Sequence, residues 1–235
     1  SSQGGAIIQA GALSVVAASS KKKGTGDITL TQAGNDFGGA VDLTGGAVAI
    51  ADANALVLGQ VAATSLHARA TTIGLANDVA TGGDQDYDGA LVLGADAALV
   101  AGGDVRFGAT VDGAHRLSVH ADGAVVFDAA VGGATALAGL DVDASSFDAA
   151  SGIGVDGGLS VAVRTGDIAQ SGAWRVGGNA DFDAGAGAIT LSNAGNDFSG
   201  AVHLSGGAAV VRDANALQLG TLDVAGLTAT SGGAL

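Results

Sequence analysis

Short runs in which every second residue is apolar recur along the whole chain. They include residues 28–30, 41–43, 56–58 and 117–120. A period of two is typical of β-strands, whose side chains alternate between two faces. Gly-Gly, Asn-Asp and Asp-Gly pairs separate the runs, and these residues tolerate the backbone angles of tight turns. The pattern therefore predicts an all-β protein of short strands joined by tight turns.

A long internal repeat relates two parts of the chain. Residues 26–59 and 187–220 align without a gap at an offset of 161, with 23 of 34 positions identical. The match extends to residues 5–59 and 166–220, with 30 of 55 positions identical. Self-similarity of this kind indicates a repeat architecture. We expect the two copies to fold alike within one β-helix domain over residues 1–235.

A shorter period lies between the two copies. Tyr87, Phe107, Phe127 and Phe147 are evenly spaced along the chain. Their interval of about 20 residues matches one rung of a solenoid built from three short strands and three tight turns. The spacing predicts a right-handed parallel β-helix of about 12 rungs, roughly 55 Å long at ~4.8 Å per rung. We expect the four aromatic side chains to form one structural ladder in its interior.

One position disagrees with this regular pattern. In the long repeat, Lys21 aligns with Phe182, which the alternation places inside. Burial of a charged ammonium group is costly. We therefore expect irregular structure near residues 19–25, or an open end of the stack at that point.

The composition excludes several classes of function. All 23 acidic residues are Asp, Lys and Arg number nine together, and the formal net charge is −14. The absence of Cys excludes disulfides and Cys-ligated metals, and the negative charge argues against nucleic acid or an anionic membrane as a partner. No apolar run approaches the ~20 residues of a membrane-spanning helix. We predict no nucleic-acid partner and no transmembrane segment.

One acidic segment has the spacing of a metal site. Asp84, Asp86 and Asp88 form the pattern D-x-D-x-D-G, which is the first half of a calcium loop. If Tyr87 points inward, the three carboxylates point outward together. The twelfth position of such a loop is Ala95 here, where calcium loops have a bidentate Glu. Calcium is thus a possible cofactor, and a solvated acidic edge is the alternative.

The remaining candidate sites favour structural interpretations. The Gly-Asn-Asp triplets at 34–36 and 195–197 echo calcium-binding nonapeptide repeats, but they are far apart rather than in tandem, so we expect Asx-type turns. The paired carboxylates at 141/143 and 181/183 are expected on an open, solvated face. Trp174 aligns with Leu13, which favours packing over a surface platform for sugars. The pattern predicts no catalytic residue.

Several phrases carry a family resemblance. AGNDFGGAV at 33–41, ADANALVLG at 51–59 and their partners at 194–202 and 212–220 resemble the repeats of filamentous-haemagglutinin-like bacterial exoproteins, which are two-partner-secretion adhesins or autotransporter passengers. The resemblance implies an extracellular or cell-surface location and a role in adhesion, aggregation or biofilm. It also implies a β-helical shaft, of which this chain would be an interior piece or a stacking subunit.

These observations lead to one main hypothesis and two alternatives. The main hypothesis is a non-enzymatic structural protein, the shaft of an adhesin or a filament subunit that associates head to tail. Its expected partners are further copies or a longer β-helix, with host or bacterial surface glycans also possible. The alternatives are a polysaccharide-binding or polysaccharide-degrading β-helix protein and a calcium-stabilised extracellular matrix protein.

Overall fold

The computed structural model of the chain describes residues 5–22 and 24–235. These residues form a parallel β-solenoid of about 11 rungs without any helix, and successive rungs are roughly 20 residues apart. The predicted all-β parallel β-helix is confirmed, with slightly fewer rungs than the sequence indicated. None of the described residues belongs to a helix that is long and apolar enough to cross a membrane.

The strands are short in most rungs, and they lengthen where a strand continues around a corner. In the first part of the chain they are β1 (Ile7–Ile8), β2 (Ser14–Val15), β3 (Ser19–Lys22), β4 (Ile28–Leu30), β5 (Asp36–Phe37), β6 (Val41–Thr44), β7 (Ala47–Ala51), β8 (Ala55–Ala63) and β9 (Ser65–Leu75). In the middle they are β10 (Val79–Thr81), β11 (Gln85–Leu93), β12 (Ala97–Ala101), β13 (Val105–Phe107), β14 (Val111–Asp112), β15 (Arg116–Ala121), β16 (Ala124–Phe127), β17 (Gly139–Ala144) and β18 (Ser146–Ala149). In the last part they are β19 (Ile153–Val155), β20 (Leu159–Val163), β21 (Ile168–Ala169), β22 (Trp174–Val176), β23 (Ala180–Asp183), β24 (Ile189–Leu191), β25 (Asp197–Phe198), β26 (Ala201–Asp213) and β27 (Gln218–Ser231).

Parallel pairing between successive rungs arranges the strands into three faces. Face A contains β1, β4, β7, β13, β16, β18, β21 and β24, with parts of β9, β11, β26 and β27. Face B contains β2, β5, β14, β19, β22 and β25, with parts of β8, β9 and β11. Face C contains β3, β6, β10, β12, β15, β17, β20 and β23, with parts of β8, β26 and β27. The chain visits the faces in the order A, B, C in each rung.

The interior is one apolar column that runs through the rungs. Alternate strand residues point inward and are almost completely buried, as Ile28, Val48 and Leu66 are on face A. Each of these three is the register partner of the next. Because a residue stacks on its equivalent one rung away, apolar positions repeat at the rung spacing. This stacking explains the longer period of the sequence.

The aromatic ladder is confirmed for three of its four members. The rings of Tyr87 and Phe107 stack with centroids 5.5 Å apart and planes 9° apart, and those of Phe107 and Phe127 stack at 4.5 Å and 4°. The prediction is wrong for Phe147, which pairs with Val125, while Phe127 pairs with Ala149. Phe147 therefore occupies the neighbouring inward position and meets Phe127 edge-on, with centroids 6.1 Å apart.

A longer rung causes this shift of Phe147. The register partners Arg116 and Gly139 are offset by 23, whereas partners in the two preceding rungs of the same face are offset by 20. The added residues form a loop in which Gly132 has a φ of 65°. A side chain on Gly132 would collide with the carbonyl oxygen of Gly154 in the next rung. On face A this rung is two residues longer than the one before it. An even number of added residues keeps the alternation of inward and outward positions, so Phe147 remains buried at the neighbouring inward position.

Lys21 lies in the inward column, as its alignment with Phe182 indicates. β3 pairs with β6, and Lys21 is the register partner of the buried Leu43. The expected irregularity is wrong for Ser19–Lys22, which form a strand. The alternative expectation, an open end of the stack, is supported, because β6 is the only strand recorded beside β3 among the described residues. Lys21 is half-buried, which a strand with one open side allows. Position 23 lies outside the described residues.

Replacement of Lys21 by Phe is expected to stabilise the protein. In the second copy the ring of Phe182 packs against Trp174 and Phe198, with centroids 5.7 and 6.3 Å apart. A Phe at position 21 would add apolar contact over Leu43 and remove a partly buried charge. We expect K21F to raise the free energy of unfolding by about 1 kcal/mol, measured by chemical denaturation. Ser20→Phe, which points outward in the same strand, is the control, and equal stability of the two variants would contradict the inward placement.

Candidate functional site

A ladder of polar and charged side chains lies on the outer surface of face A. His67, Asp86 and Arg106 are register partners in three successive rungs. The Nδ1 atom of His67 lies 3.0 Å from Asp86 Oδ2, and Arg106 Nη1 donates to Asp86 Oδ1 at 3.3 Å. Asp86 therefore contacts an imidazole in one neighbouring rung and a guanidinium in the other, at the spacing that the β-pairing imposes.

Asp88 joins the same cluster from the outer surface of β11. Its Oδ2 atom lies 3.8 Å from His67 Nε2, and its Oδ1 atom accepts from Arg106 Nη1 at 3.4 Å. Arg106 also forms an ion pair with Asp128. The carboxylate of Asp128, followed by that of Asp86, raises the pKa of the Arg106 guanidinium above its ordinary value. One arginine thus holds three carboxylates.

The structure brings together only two of the three aspartates that the calcium pattern singled out. Asp84 is exposed, and its Oδ1 atom accepts the backbone N–H of Asp104 at 2.9 Å. Asp86 and Asp88 are instead grouped with His67, and these three residues can each offer a ligand atom within 4.8 Å of the others. A local search along the sequence misses His67 because it is one rung earlier. The sequence feature that could have identified His67 is its separation from Asp86, which is close to the length of one rung.

Asp84 is one of several aspartates that hold the corner of the next rung. In each case a side-chain Oδ1 atom accepts a backbone N–H from a residue 18 to 22 positions later in the chain. The pairs are Asp27–Ala47, Asp42–Gln60, Asp78–Ala98, Asp84–Asp104, Asp96–Arg116, Asp104–Ala124, Asp112–Ala134 and Asp167–Ala188. The short Asp side chain places its carboxylate beside the backbone, whereas Glu would extend it by one methylene. This role favours Asp over Glu at these corner positions.

In the second copy of the long repeat, a histidine accepts a backbone N–H of the next rung at a position where the first copy has an aspartate. Its counterpart Asp42 accepts the N–H of Gln60 at 2.9 Å, and His203 Nδ1 accepts the N–H of Thr221 at 2.8 Å. An imidazole accepts through an unprotonated nitrogen. The His203 side chain thus connects the corner of the next rung through Nδ1, as the carboxylate of Asp42 does in the first copy.

A second charged cluster lies on face C. Arg116 forms an ion pair with Asp141, and Asp143 forms ion pairs with both Arg164 and His120. The two carboxylates lie on the outer surface of β17, as the alternation predicts. Each is paired with a cation from a neighbouring rung, so both contribute to contacts between rungs.

The Gly-Asn-Asp triplets contain the most connected polar side chain of the structure. Asn196 is completely buried. Its Nδ2 atom donates to Gln170 Oε1 at 2.7 Å, to the Leu191 carbonyl at 3.2 Å and to the Arg212 carbonyl at 3.1 Å. Its Oδ1 atom accepts from Gln170 Nε2 at 2.8 Å and from the Trp174 N–H at 3.0 Å. One amide group thus connects three successive rungs.

The first copy of the long repeat contains the same network. Asn35 is completely buried and bonds to Gln9, to the Leu30 and Ala51 carbonyls and to the Leu13 N–H. The chain turns at this triplet, since the Asn35 N–H donates to the Gln32 carbonyl, but the expected Asx-type turn is not formed, because Asn35 Oδ1 accepts from Gln9 and Leu13 instead. The side chain, however, reaches into neighbouring rungs. The sequence signal for this network is the identical Asn and Gln at equivalent positions of the two copies, with neighbours that differ around the Gln.

A buried aspartate extends each network. Asp213 Oδ2 accepts the N–H of Phe198 at 2.8 Å, and its Oδ1 accepts the N–H of Asn215 at 2.7 Å. Asp52 makes the equivalent bonds in the first copy. Trp174 is completely buried, which confirms its predicted packing and excludes a surface platform for sugars. The repeated phrases therefore encode internal anchors of the solenoid.

Comparison with known families identifies a repeat but no activity. Residues 1–44 and 133–205, a little under half of the chain, match a family described as "Repeats of unknown function (DUF5649)". No curated protein and no solved structure matches the chain. The match supports the repeat architecture and leaves the specific resemblance to filamentous-haemagglutinin-like repeats without independent support.

Replacement of Asn196 by Asp is expected to destabilise the solenoid strongly. A carboxylate cannot donate to the Leu191 and Arg212 carbonyls, and it places a buried charge beside both of them. We expect a loss of about 3 kcal/mol or more in the free energy of unfolding, measured by chemical denaturation. Asn215→Asp is the matched control, because Asn215 is exposed. An equal effect of the two substitutions would contradict the anchoring role.

The corner bond of Asp96 is expected to depend on pH. The N–H of Arg116, and then His115, lower the pKa of the Asp96 carboxyl below its ordinary value. Its contribution to stability is therefore fully present above the unfolded pKa of about 3.9 and is lost as the pH falls through the lowered folded pKa. The difference in melting temperature between wild type and D96N should be largest near neutral pH and shrink below about pH 4. A constant difference would contradict this.

Proposed function

We propose that the chain is a length of rigid shaft in an extracellular bacterial adhesin or surface filament, and that it acts without catalysis. The observation that carries the proposal is the last rung, β27, whose inward side chains are incompletely covered. Leu222 and Leu227 are 41% and 37% exposed, although they stack on the buried Leu204 and Ala209. A further rung would complete the burial of both.

The continuous interior supports the proposed role as a rigid rod. The buried column extends from rung to rung over most of the described chain, and each rung pairs with its neighbours along three faces. In such a stack each unit contacts only the next, so length is added without a change of design. The buried Asn networks and the Asp corner bonds add further connections along the axis. These features suit a rod that transmits force or spans distance.

The open edge of β27 supports stacking in particular. Its backbone pairs with β26 on one side, and the unpaired edge of a strand is a template for another strand. The first rung is also incompletely covered, since Ile7 and Val15 are partly buried and stack on Ile28 and Phe37. Either a continuation of a longer β-helix or a second copy would supply the missing rung. A contact between unlike ends does not close on itself and therefore produces a filament.

The outer surface and the sequence support an extracellular setting. The net charge of −14 is spread over outward aspartates, which favours solubility of the rod. The resemblance of the repeated phrases to exoprotein repeats adds an adhesin or biofilm context. Copies of the chain are the proposed partners, with surface glycans as the proposed targets of the complete adhesin.

Charges placed on the open inner side of β27 are expected to prevent end-to-end association. The double variant L222D/L227D puts carboxylates at the centre of the proposed contact, where the next rung would bury them. We expect fibres of the wild-type protein and single rods of the variant in negative-stain electron microscopy. The control T228D/T230D adds the same charge to outward positions of the same strand and should still form fibres. Circular dichroism should verify the fold of both variants.

Three outcomes separate the versions of this proposal. Fibres that persist in L222D/L227D would contradict stacking through β27. Single rods of the wild-type protein would restrict the role to an internal length of a longer shaft. Compact particles rather than rods would contradict the proposal as a whole.

A further inference from the structure

We propose that His67, Asp86 and Asp88 form a surface site for a divalent transition metal of the zinc class. This inference is independent of the proposed shaft function. The three side chains come from two successive rungs, and each offers one ligand atom within 4.8 Å of the others. A metal bound there would connect β9 to β11 on face A, beyond the backbone bonds between them.

The distances between donor atoms are near those that a metal requires. The His67 ring lies 3.0 Å from Asp86 Oδ2 through Nδ1 and 3.8 Å from Asp88 Oδ2 through Nε2. Ligands around tetrahedral zinc, with bonds of about 2.0–2.1 Å, are about 3.3 Å apart. Asp86 and Asp88 now contact different ring nitrogens, so binding of one metal through a single nitrogen requires the side chains to rotate. Water completes the coordination, because the cluster is on the surface.

The backbone fixes the relative positions of the three ligands. His67 and Asp86 are register partners in parallel strands, and Asp88 is two residues along the same strand as Asp86, on the same outer surface. The intervening Tyr87 is completely buried, which anchors the strand between the two carboxylates. The site therefore needs rearrangement of side chains only.

Arg106 orients the carboxylates toward His67. Its Nη1 atom binds the Oδ1 atoms of Asp86 and Asp88 at 3.3 and 3.4 Å from the neighbouring rung. Both Oδ2 atoms are thereby left on the side of His67. Partners of this kind, which hold a ligand through its second atom, are typical around metal sites and tune their affinity. Arg106 is thus a positioning residue, and the guanidinium also offsets part of the charge of the two aspartates.

The set of ligands selects the class of metal. One imidazole and two carboxylates suit zinc and similar transition metals, whereas calcium prefers oxygen ligands alone and more of them. The third aspartate of the calcium pattern, Asp84, already accepts the Asp104 N–H. The geometry therefore favours zinc over calcium at this position, and the two metals can be compared directly.

The chain contains a matched control for this site. His120 Nδ1 lies 3.0 Å from Asp143 Oδ2 on face C, and Asp143 also pairs with Arg164. The pair has the same chemistry, exposure and position between rungs as the site on face A. It lacks a second carboxylate within reach, so among the described residues it is not part of a group of three ligands. His120→Gln removes a comparable imidazole from elsewhere on the surface.

The test is a titration with Zn²⁺ by isothermal titration calorimetry at about pH 7.5, where histidine is mostly neutral. We expect one site in the wild-type protein, binding at least about tenfold weaker in H67Q and in D88N, and unchanged binding in H120Q. Zn²⁺ should also raise the melting temperature of wild type and H120Q, and Ca²⁺ should not. Melting curves without metal show whether each variant is folded.

Several results would overturn the proposal. They are absence of Zn²⁺ binding by the wild-type protein, equal binding by wild type and H67Q, and an equal loss in H67Q and H120Q. Preference for Ca²⁺ over Zn²⁺ with dependence on Asp84 would instead support the calcium pattern. None of these results bears on end-to-end association, so the proposed shaft function stands or falls separately.

Discussion

The vertical register between rungs is the constraint on which the rest of the structure depends. Parallel β-pairing places each residue directly above its equivalent one rung away, about 4.8 Å distant. Every side chain therefore has a fixed neighbour above and below, and both must be compatible with it. Inside, this requirement produces the stacked rings of Tyr87, Phe107 and Phe127. Outside, it produces ladders of polar contacts such as that of His67, Asp86 and Arg106.

The same register explains why Asp and Asn have such different roles in this chain. At the exposed corners, an Asp side chain accepts the N–H of the next rung and still contacts water. At the buried corners, the side chain must both donate and accept, because carbonyl groups and N–H groups converge there. Only an amide does both, and Asn35 and Asn196 each bond to groups in three rungs. The surrounding groups therefore decide between the acid and the amide. Asp52 and Asp213 are also buried, but they contact only N–H groups, which a carboxylate accepts.

Most of the fold could be predicted from the sequence, because the period of two follows directly from strands and the longer period follows directly from rungs. The departures arise where a rung changes length. The loop after Val131 moves Phe147 out of the ladder, and neither alternation nor composition reveals where a loop takes up extra residues. The candidate site was predictable only in part. Asp86 and Asp88 are close in the sequence, whereas His67 joins them through the register between β9 and β11.

The two copies and the rungs between them contribute different properties to the molecule. The buried Asn networks lie in the copies, and the family match covers residues 1–44 and 133–205, which contain both Asn35 and Asn196. The cluster of His67, Asp86 and Asp88 lies outside the matched segments. The amide anchors and the cluster around His67 thus lie in different rungs of the solenoid, whereas Asp corner bonds are present both in the copies and between them. Because each rung needs only a compatible neighbour, the rungs between the copies can carry new surface groups without disturbing the anchors on either side.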